Sequence, residues 1–201
     1  MTMKLDASQL RDYKPSPEEL SKIKRKPIYI VCDNILDTYN IGAIFRLADA
    51  AAVSGVYLVG GTSAPTDPLT GHKVHKASVG TWQWTPWKHV ETITEAVEEI
   101  RNNVAAGPWP AEINVEKGWA RQGRAATKLQ VIAVEQSEKS VPYTKAEYKF
   151  PIALILGHET TGVSREGLDL ADQVVEIPMF GVNKSLNVMV SLAIILWKIL
   201  E

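Results

Sequence analysis

The segment from Ile177 to Glu201, IPMFGVNKSLNVMVSLAIILWKILE, constrains the fold of this chain more than any other stretch. Its polar side chains cluster in a loop and first turn, at Asn183, Lys184, Ser185 and Asn187. From Val188 to Leu200 only Ser191 and Lys198 are polar. A helix this apolar all round must be buried on more than one side, since a surface helix keeps a polar face. The run falls short of the ~20 residues a membrane span needs, so it is expected to pack into a protein core. The polar loop at its start is a natural place to hold a ligand or substrate.

The remaining chain supplies what such a helix packs against. Ser16-Pro17-Glu18-Glu19 reads as a helix start, with a Ser cap, Pro at the first position and Glu at the third; the helix ends before Pro27. Ile28 to Cys32 is a continuous apolar run, as in a strand covered on both faces. Asp33 to Tyr39 reads as a loop, with Asn40 a natural helix cap. Ile41, Ile44, Phe45, Ala48 and Ala52 recur at helical spacing. Gly55 ends that helix and Val56 to Val59 is the next strand, which completes a β-α-β unit. Thr62 to Gly80 reads as a polar loop, and Thr81 to Trp87 alternates like an edge strand limited by Pro86. A helix over 92–104, strands over 129–134, 152–156 and 174–177, and a short helix over 164–170 follow. This alternation implies an α/β fold with a mainly parallel sheet flanked by helices. Residues 1–26 read as an N-terminal arm with a short helix and 27–201 as one domain. The segment 105–127 is too long for a tight connection and reads as an insertion, with a helix of its own around 115–124.

Composition narrows the function by exclusion. The 201 residues are 45% hydrophobic and 22% charged, an ordinary globular balance, and the single Cys32 rules out an intrachain disulfide framework. The N-terminus MTMKLDASQLRDYK shows no signal peptide, so the chain is expected to be cytoplasmic. Gly157 to Gly162 has the glycine spacing of a phosphate loop, but Val163-Ser164 follows where Lys-Ser/Thr is required. The first β-α turn lacks G-x-G-x-x-G, and no G-x-S-x-G elbow is present. The histidines are scattered and Cys32 has no partner at zinc spacing, so no metal is expected. Net charge is −1, yet the basic residues are segregated. Lys73, Lys76 and Lys88 lie with three histidines in a stretch free of acid; Lys22, Lys24, Arg25 and Lys26 form a second group, and Lys117, Arg121, Arg124 and Lys128 a third. Such groups either make a basic face or lie in solvated loops.

Three loops, each following a strand, carry the chemistry. The first, Asn40 to Arg46, opens a helix; Gly42 allows close backbone approach, and Arg46 lies one turn further on, so both can face one ligand. The second is Leu156-Gly157-His158-Glu159-Thr160-Thr161-Gly162. The third runs from Ile177-Pro178-Met179 to Ser185-Leu186-Asn187. Singly, Asn40, Ser185 and Asn187 read as helix caps, Arg46 as an ion-pair partner and Glu159 as a loop carboxylate. In this order they form N-x-G-x-x-x-R, L-G-x-E-x-x-G and I-P-M followed by S-L-N-V.

This constellation resembles the SPOUT superfamily, and within it the SpoU/TrmH-type RNA 2′-O-ribose methyltransferases, over about Pro27 to Leu200. The resemblance implies a C-terminal trefoil knot, which pattern rules alone would not suggest, and a homodimer that uses the C-terminal helix. It implies S-adenosylmethionine held by Val134, Glu135 and Gln136, by Leu156, Gly157, His158 and Glu159, by Ile177, Pro178 and Met179, and by Ser185, Leu186 and Asn187. It makes Arg46, Asn40, Glu159, Ser185 and Asn187 the catalytic set, with Arg46 placed at the ribose hydroxyl. A guanidinium has a pKa above ~12 and is a poor base, so Arg46 is read as orienting ribose and phosphate. The proton acceptor stays open among phosphate, water and a carboxylate.

RNA is then the expected partner, met by Lys73, Lys76, Ser78 and Lys88 and by Arg121 and Arg124 in the insertion. Trp82, Trp84 and Trp87 either pack on the sheet or stack on bases; Trp109 and Trp119 are more open to an RNA role. The chain shows an arm where larger relatives carry a separate N-terminal RNA-binding domain, which favours recognition by the catalytic dimer. Transfer RNA is favoured over ribosomal RNA. The competing class is a non-catalytic RNA-binding or ribosome-assembly factor that kept the fold.

Overall fold

The computed structural model describes residues 7–106 and 128–201. Seven strands, β1 (Lys26–Asp33), β2 (Val53–Val59), β3 (Trp87–Val90), β4 (Gln130–Val134), β5 (Val141–Pro142), β6 (Ile152–Leu156) and β7 (Gln173–Glu176), form one sheet in the order β3-β2-β1-β6-β4-β7-β5. Every neighbouring pair is parallel. The helices are α1 (Ala7–Asp12), α2 (Pro17–Ser21), α3 (Thr38–Ala50), α4 (Gly71–Ser78), α5 (Ile93–Ala106), α6 (Arg165–Leu170) and α7 (Val188–Leu200). The expected α/β class is therefore the observed one.

Side chains alternate across a strand, and β1 shows the consequence. Ile28, Ile30 and Cys32 enter a core with Ile41, Ile44 and Phe45 of α3 and Leu192, Ile195 and Leu196 of α7. Tyr29 and Val31 enter the opposite core with Ile93, Val97 and Ile100 of α5. A central strand covered on both faces reads as an unbroken apolar run, which is why 28–32 was legible as sequence. Leu192, Ile195, Leu196 and Ile199 are the buried side of α7, each contributing roughly 1.5–3 kcal/mol by leaving water. No described helix is long and apolar enough to cross a membrane.

Several boundaries differ from the sequence reading. Helix α3 starts at Thr38 with Asp37 as its cap, the carboxylate accepting from Tyr39 N at 2.8 Å; Asn40 lies inside the helix. The chain turns at Ala52, with φ of 51°, and β2 begins at Val53, so Gly55 sits within the strand rather than before it. The polar loop 62–80 contains α4, whose buried positions Gly71, Val74 and Ser78 have helical spacing but little apolar bulk. Residues 81–83 form a 3-10 turn and the strand comes later, at 87–90. The alternating tryptophans have separate partners: Trp82 stacks on His75 with centroids 4.3 Å apart, Trp84 donates to Asp49 Oδ1 at 2.8 Å, and Trp87 meets Phe45 edge-on. Helix α2 has the expected capping box and Pro at its start. Most of 105–127, including the helix expected around 115–124, lies outside the described residues; Ala105 and Ala106 end α5.

The sheet reads outward in both directions from the β1–β6 pair. Chain order runs β1, β2, β3 to one side and β6, β4, β7, β5 to the other. In such sheets the crevice for a ligand lies beyond the carboxyl ends of the strands, near the reversal.

Candidate active site

At the carboxyl end of β6, residues 158–162 form a tight hairpin. His158 N donates to Gly162 O at 3.0 Å and Gly162 N donates to His158 O at 2.9 Å. A Cβ on Gly157 would lie 2.1 Å from the carbonyl carbon of Gly162, so only glycine fits there. The hairpin carries Glu159 across to the loop after β1. Glu159 Oε1 accepts from Asp37 N at 3.1 Å and from Asn40 Nδ2 at 3.0 Å, and Oε2 accepts from Leu36 N at 3.2 Å. Burial pushes this carboxyl up, but the Asn40 amide and the backbone N–H groups outweigh it and hold Glu159 below the usual carboxylate range.

The row continues into the last helix. Asn187 Nδ2 donates to Asn40 Oδ1 at 3.0 Å, and Asn187 Oδ1 caps α7 by accepting from Met189 N at 2.9 Å. Glu159, Asn40 and Asn187 are thus joined by hydrogen bonds spanning 119 and 147 positions of sequence. Asn40, buried to 6% exposure, has both ends of its amide engaged. An arrangement with acceptor, relay and cap all satisfied holds its side chains in one geometry.

Beside this row lies a cavity of about 380 Å³ at the carboxyl ends of β4, β6 and β7. Every residue expected to hold a cofactor lines it except Pro178. Val134, Leu156, Ile177 and Val188 supply apolar wall; Glu135, Glu176, Lys184 and Ser185 supply polar rim. Ser185 Oγ donates to Asn183 Oδ1 at 3.1 Å and faces this same cavity. The volume and the mixed lining suit an organic ligand with an apolar body and several polar groups. Among the described residues no group of His, Cys, Asp or Glu is placed to hold a metal ion.

The structure does not bring Arg46 into the row. It is exposed, lies outside the cavity lining, and makes no hydrogen bond or ion pair with a described residue. Gly42 serves a purpose other than ligand approach: its Cβ would meet Ala77 Cβ at 2.3 Å, so it permits α4 to pack on α3. Lys73 and Lys76 are exposed on α4. Ser78 is fully buried, its hydroxyl donating to His75 O at 3.1 Å, so it presents nothing to a partner. Lys88 is paired with Glu99. Arg25 is buried and structural, donating to Val53 O at 3.1 Å and Trp84 O at 2.7 Å. Arg121, Arg124, Trp109 and Trp119 lie outside the described residues. Sequence reasoning missed Asp33, whose Oδ2 accepts from Ser164 N at 2.8 Å; its position at the end of the first strand was the available signal.

The sequence matches the SpoU rRNA Methylase family over residues 27–117 and 110–197. The chain belongs to this family. Among relatives of this SpoU chain, a tRNA (guanosine(18)-2′-O)-methyltransferase of Escherichia coli K12 is 30% identical over 176 residues, covering 87% of the chain and 64% of the relative. The chain therefore spans just under two thirds of the length of that relative. An AdoMet-bound rRNA methyltransferase from Sinorhizobium meliloti superposes with a TM-score of 0.66 at 28% identity, over 94% of this chain and 59% of that one. The SpoU methyltransferase AviRb from Streptomyces viridochromogenes, at 23% identity, shares the fold with a TM-score of 0.69 over 89% of this chain and 60% of its own.

Proposed function

We propose that this chain transfers the methyl group of S-adenosylmethionine to a ribose 2′-hydroxyl in structured RNA. The observation that carries the reading is the hydrogen-bonded row Glu159–Asn40–Asn187 set against a cavity built from the loops after β4, β6 and β7. The cavity volume and its mixture of apolar wall and polar rim fit an adenosine bearing an amino-acid tail. Bound there, the sulfonium supplies an activated methyl with a good leaving group, which leaves alignment as the main task.

Alignment is what the residues of this chain provide. Glu159, holding three donors and depressed in pKa, is a fixed anion rather than a proton acceptor. It orients Asn40, which orients Asn187 at the cavity edge. Ser185 and Asn187 present polar atoms at the same rim. Arg46, unpaired with any described residue, is free to orient a ribose and its phosphate by bidentate contact. The hydroxyl proton then passes to phosphate or water. Arg46→Lys is expected to lower turnover by roughly tenfold or more, because a point charge does not replace a planar fork; near-normal turnover at neutral pH would remove that role.

The outer side of α7 leaves Trp197 exposed, and near the row Leu36, Tyr39 and Leu186 are exposed as well. We assign these apolar residues to a homodimer interface, which analytical ultracentrifugation tests. The convergence of the loops after β4, β6 and β7 supports a trefoil knot formed by the last part of the chain. The family match beginning at residue 27 supports 27–201 as the catalytic domain and 1–26 as an arm; we keep 105–127 as an insertion on its length alone. With RNA as substrate we place its work in the cytoplasm. Lys73 and Lys76 are assigned to RNA phosphates, with Arg121 and Arg124 as further contacts. We favour tRNA, following the E. coli relative, with rRNA the other substrate to test given the S. meliloti neighbour. Methyl transfer from labelled S-adenosylmethionine to total tRNA and rRNA, followed by mapping of the nucleotide, tests the reading. Binding of RNA without cofactor binding or transfer would instead make the chain an RNA-binding assembly factor.

A further inference from the structure

Glu135 and Gln136, adjacent at the end of β4, reach toward two different loops. Glu135 Oε2 accepts from Val163 N at 2.9 Å, at the base of the 158–162 hairpin, and Oε1 accepts from Gln136 N at 2.8 Å. Gln136 Nε2 donates to Lys184 O at 2.7 Å, in the loop that leads to α7. Both residues line the cavity. The backbone beneath them is held by the sheet: Val131, Ile132 and Ala133 are buried, and Glu135 N donates to Val175 O at 3.0 Å.

The fit between Glu135 and the hairpin is close. Gly162 has a φ of 73°, and a Cβ there would lie 2.0 Å from Glu135 Oε2. Only glycine lets the hairpin close onto this carboxylate. The next amide, Ser164 N, goes to Asp33 at 2.8 Å, so two successive N–H groups at the hairpin's exit each meet a carboxylate. The residue types at 135 and 136 match their tasks. A carboxylate is acceptor-only and can take two N–H donors, whereas a carbonyl needs the N–H that Gln136 supplies.

We infer that Glu135 and Gln136 are positioning residues that tie the two halves of the site together. Glu135 fixes the hairpin that carries Glu159, and Gln136 fixes the loop that carries Ser185 and Asn187. One dipeptide just past the end of a buried strand thereby sets both ends of the Glu159–Asn40–Asn187 row and two walls of the cavity. The inference rests on the reading of that cavity as the cofactor site.

Hydrogen exchange of the cofactor-free protein, read alongside calorimetry with S-adenosylmethionine, tests the bracket. Glu135→Ala is expected to speed exchange of the Val163 and Ser164 amides by on the order of tenfold, while 183–187 keep their rates. Gln136→Glu, which puts an acceptor against the Lys184 carbonyl, is expected to do the reverse. Amides of Ile30 to Cys32 in the central strand should be unchanged in both. Glu135→Gln, which keeps one acceptor for Val163, is expected to recover part of the protection. Each variant that loosens a loop should also weaken cofactor binding by about tenfold. Faster exchange throughout the chain, or unchanged exchange in both loops, would overturn the bracket. Failure of the unmodified chain to bind S-adenosylmethionine would overturn the cofactor reading instead, and the exchange pattern would still decide the bracket.

Discussion

Glu159, Asn40 and Asn187 direct their polar atoms at one another, whereas Arg46, Lys73 and Lys76 on α3 and α4 direct theirs at no described residue. The first region is built before any ligand arrives: a carboxylate with three donors, an asparagine used at both ends, a cap on the last helix. The second consists of cations on a pair of helices locked together by Gly42 and Ala77, with side-chain ends free to move. The contrast suits the proposed reaction, which needs a rigid cradle for a small cofactor and an adaptable surface for a polyanion. Rigid polar networks fail abruptly when one member is lost, while phosphate contacts fail gradually and in proportion to charge.

That difference can be broken most severely at Gly157. Gly157→Ala places a Cβ about where the Gly162 backbone lies, 2.1 Å away, and nothing in a closed hairpin can give by that much. Cofactor binding should be abolished and stability reduced by about 1–3 kcal/mol or more, measured by calorimetry and thermal melting. Retained binding would mean the hairpin is not the rigid element described.

Glu159→Gln comes next. It keeps the shape but replaces one acceptor with a donor facing N–H groups, and turnover should fall by about a hundredfold through lost alignment. The same residue has a pH signature. Its folded-state pKa is depressed, so the stability it contributes is fully present above the unfolded carboxylate pKa of roughly 4.3 and is lost as pH falls through the folded value. Melting curves from pH 7 down to pH 3 should therefore converge between the natural chain and Glu159→Gln only at the acid end. A constant gap at all pH values would contradict the role of a hydrogen-bonded anion.

On the adaptable side, Lys73→Ala and Lys76→Ala should each weaken RNA binding several-fold and lower the slope of log affinity against log salt by about 1, with cofactor affinity unchanged. Ser78→Ala sharpens the boundary between the two regions. Its hydroxyl is buried and bonded within α4, so RNA affinity should not change; a loss comparable to that of Lys76→Ala would show that α4 rearranges on binding.

The sequence was informative where one physical signal dominated. Strands 152–156 and 28–32 show unbroken apolar runs because parallel strands are covered on both faces, and α7 was bounded correctly because its polar cap meets an abrupt apolar run. The motif residues around 157 and 187 were recognisable because glycine spacing and cap chemistry are local. Helix α4 was hidden because it packs through Gly71, Val74 and Ser78, whose small size leaves little hydrophobic periodicity. Asn40 looked like a cap because cap and interior asparagine are alike in sequence; only the 119-residue contact to Glu159 distinguishes them. Arg25 looked like part of a basic cluster, yet two backbone carbonyls, one 59 positions away, draw it inside. Long-range hydrogen bonds of this kind leave no trace in local pattern.

On the proposed reaction, Glu159 and Asn40 should act as one unit in aligning the reacting groups. A double-mutant cycle on methyl transfer to RNA, with Glu159→Gln, Asn40→Ala and the pair, tests it directly. kcat/KM of the double variant should be no lower than that of the worse single variant, because either change already breaks the row. Losses that multiply in the double variant would show two independent residues and contradict it.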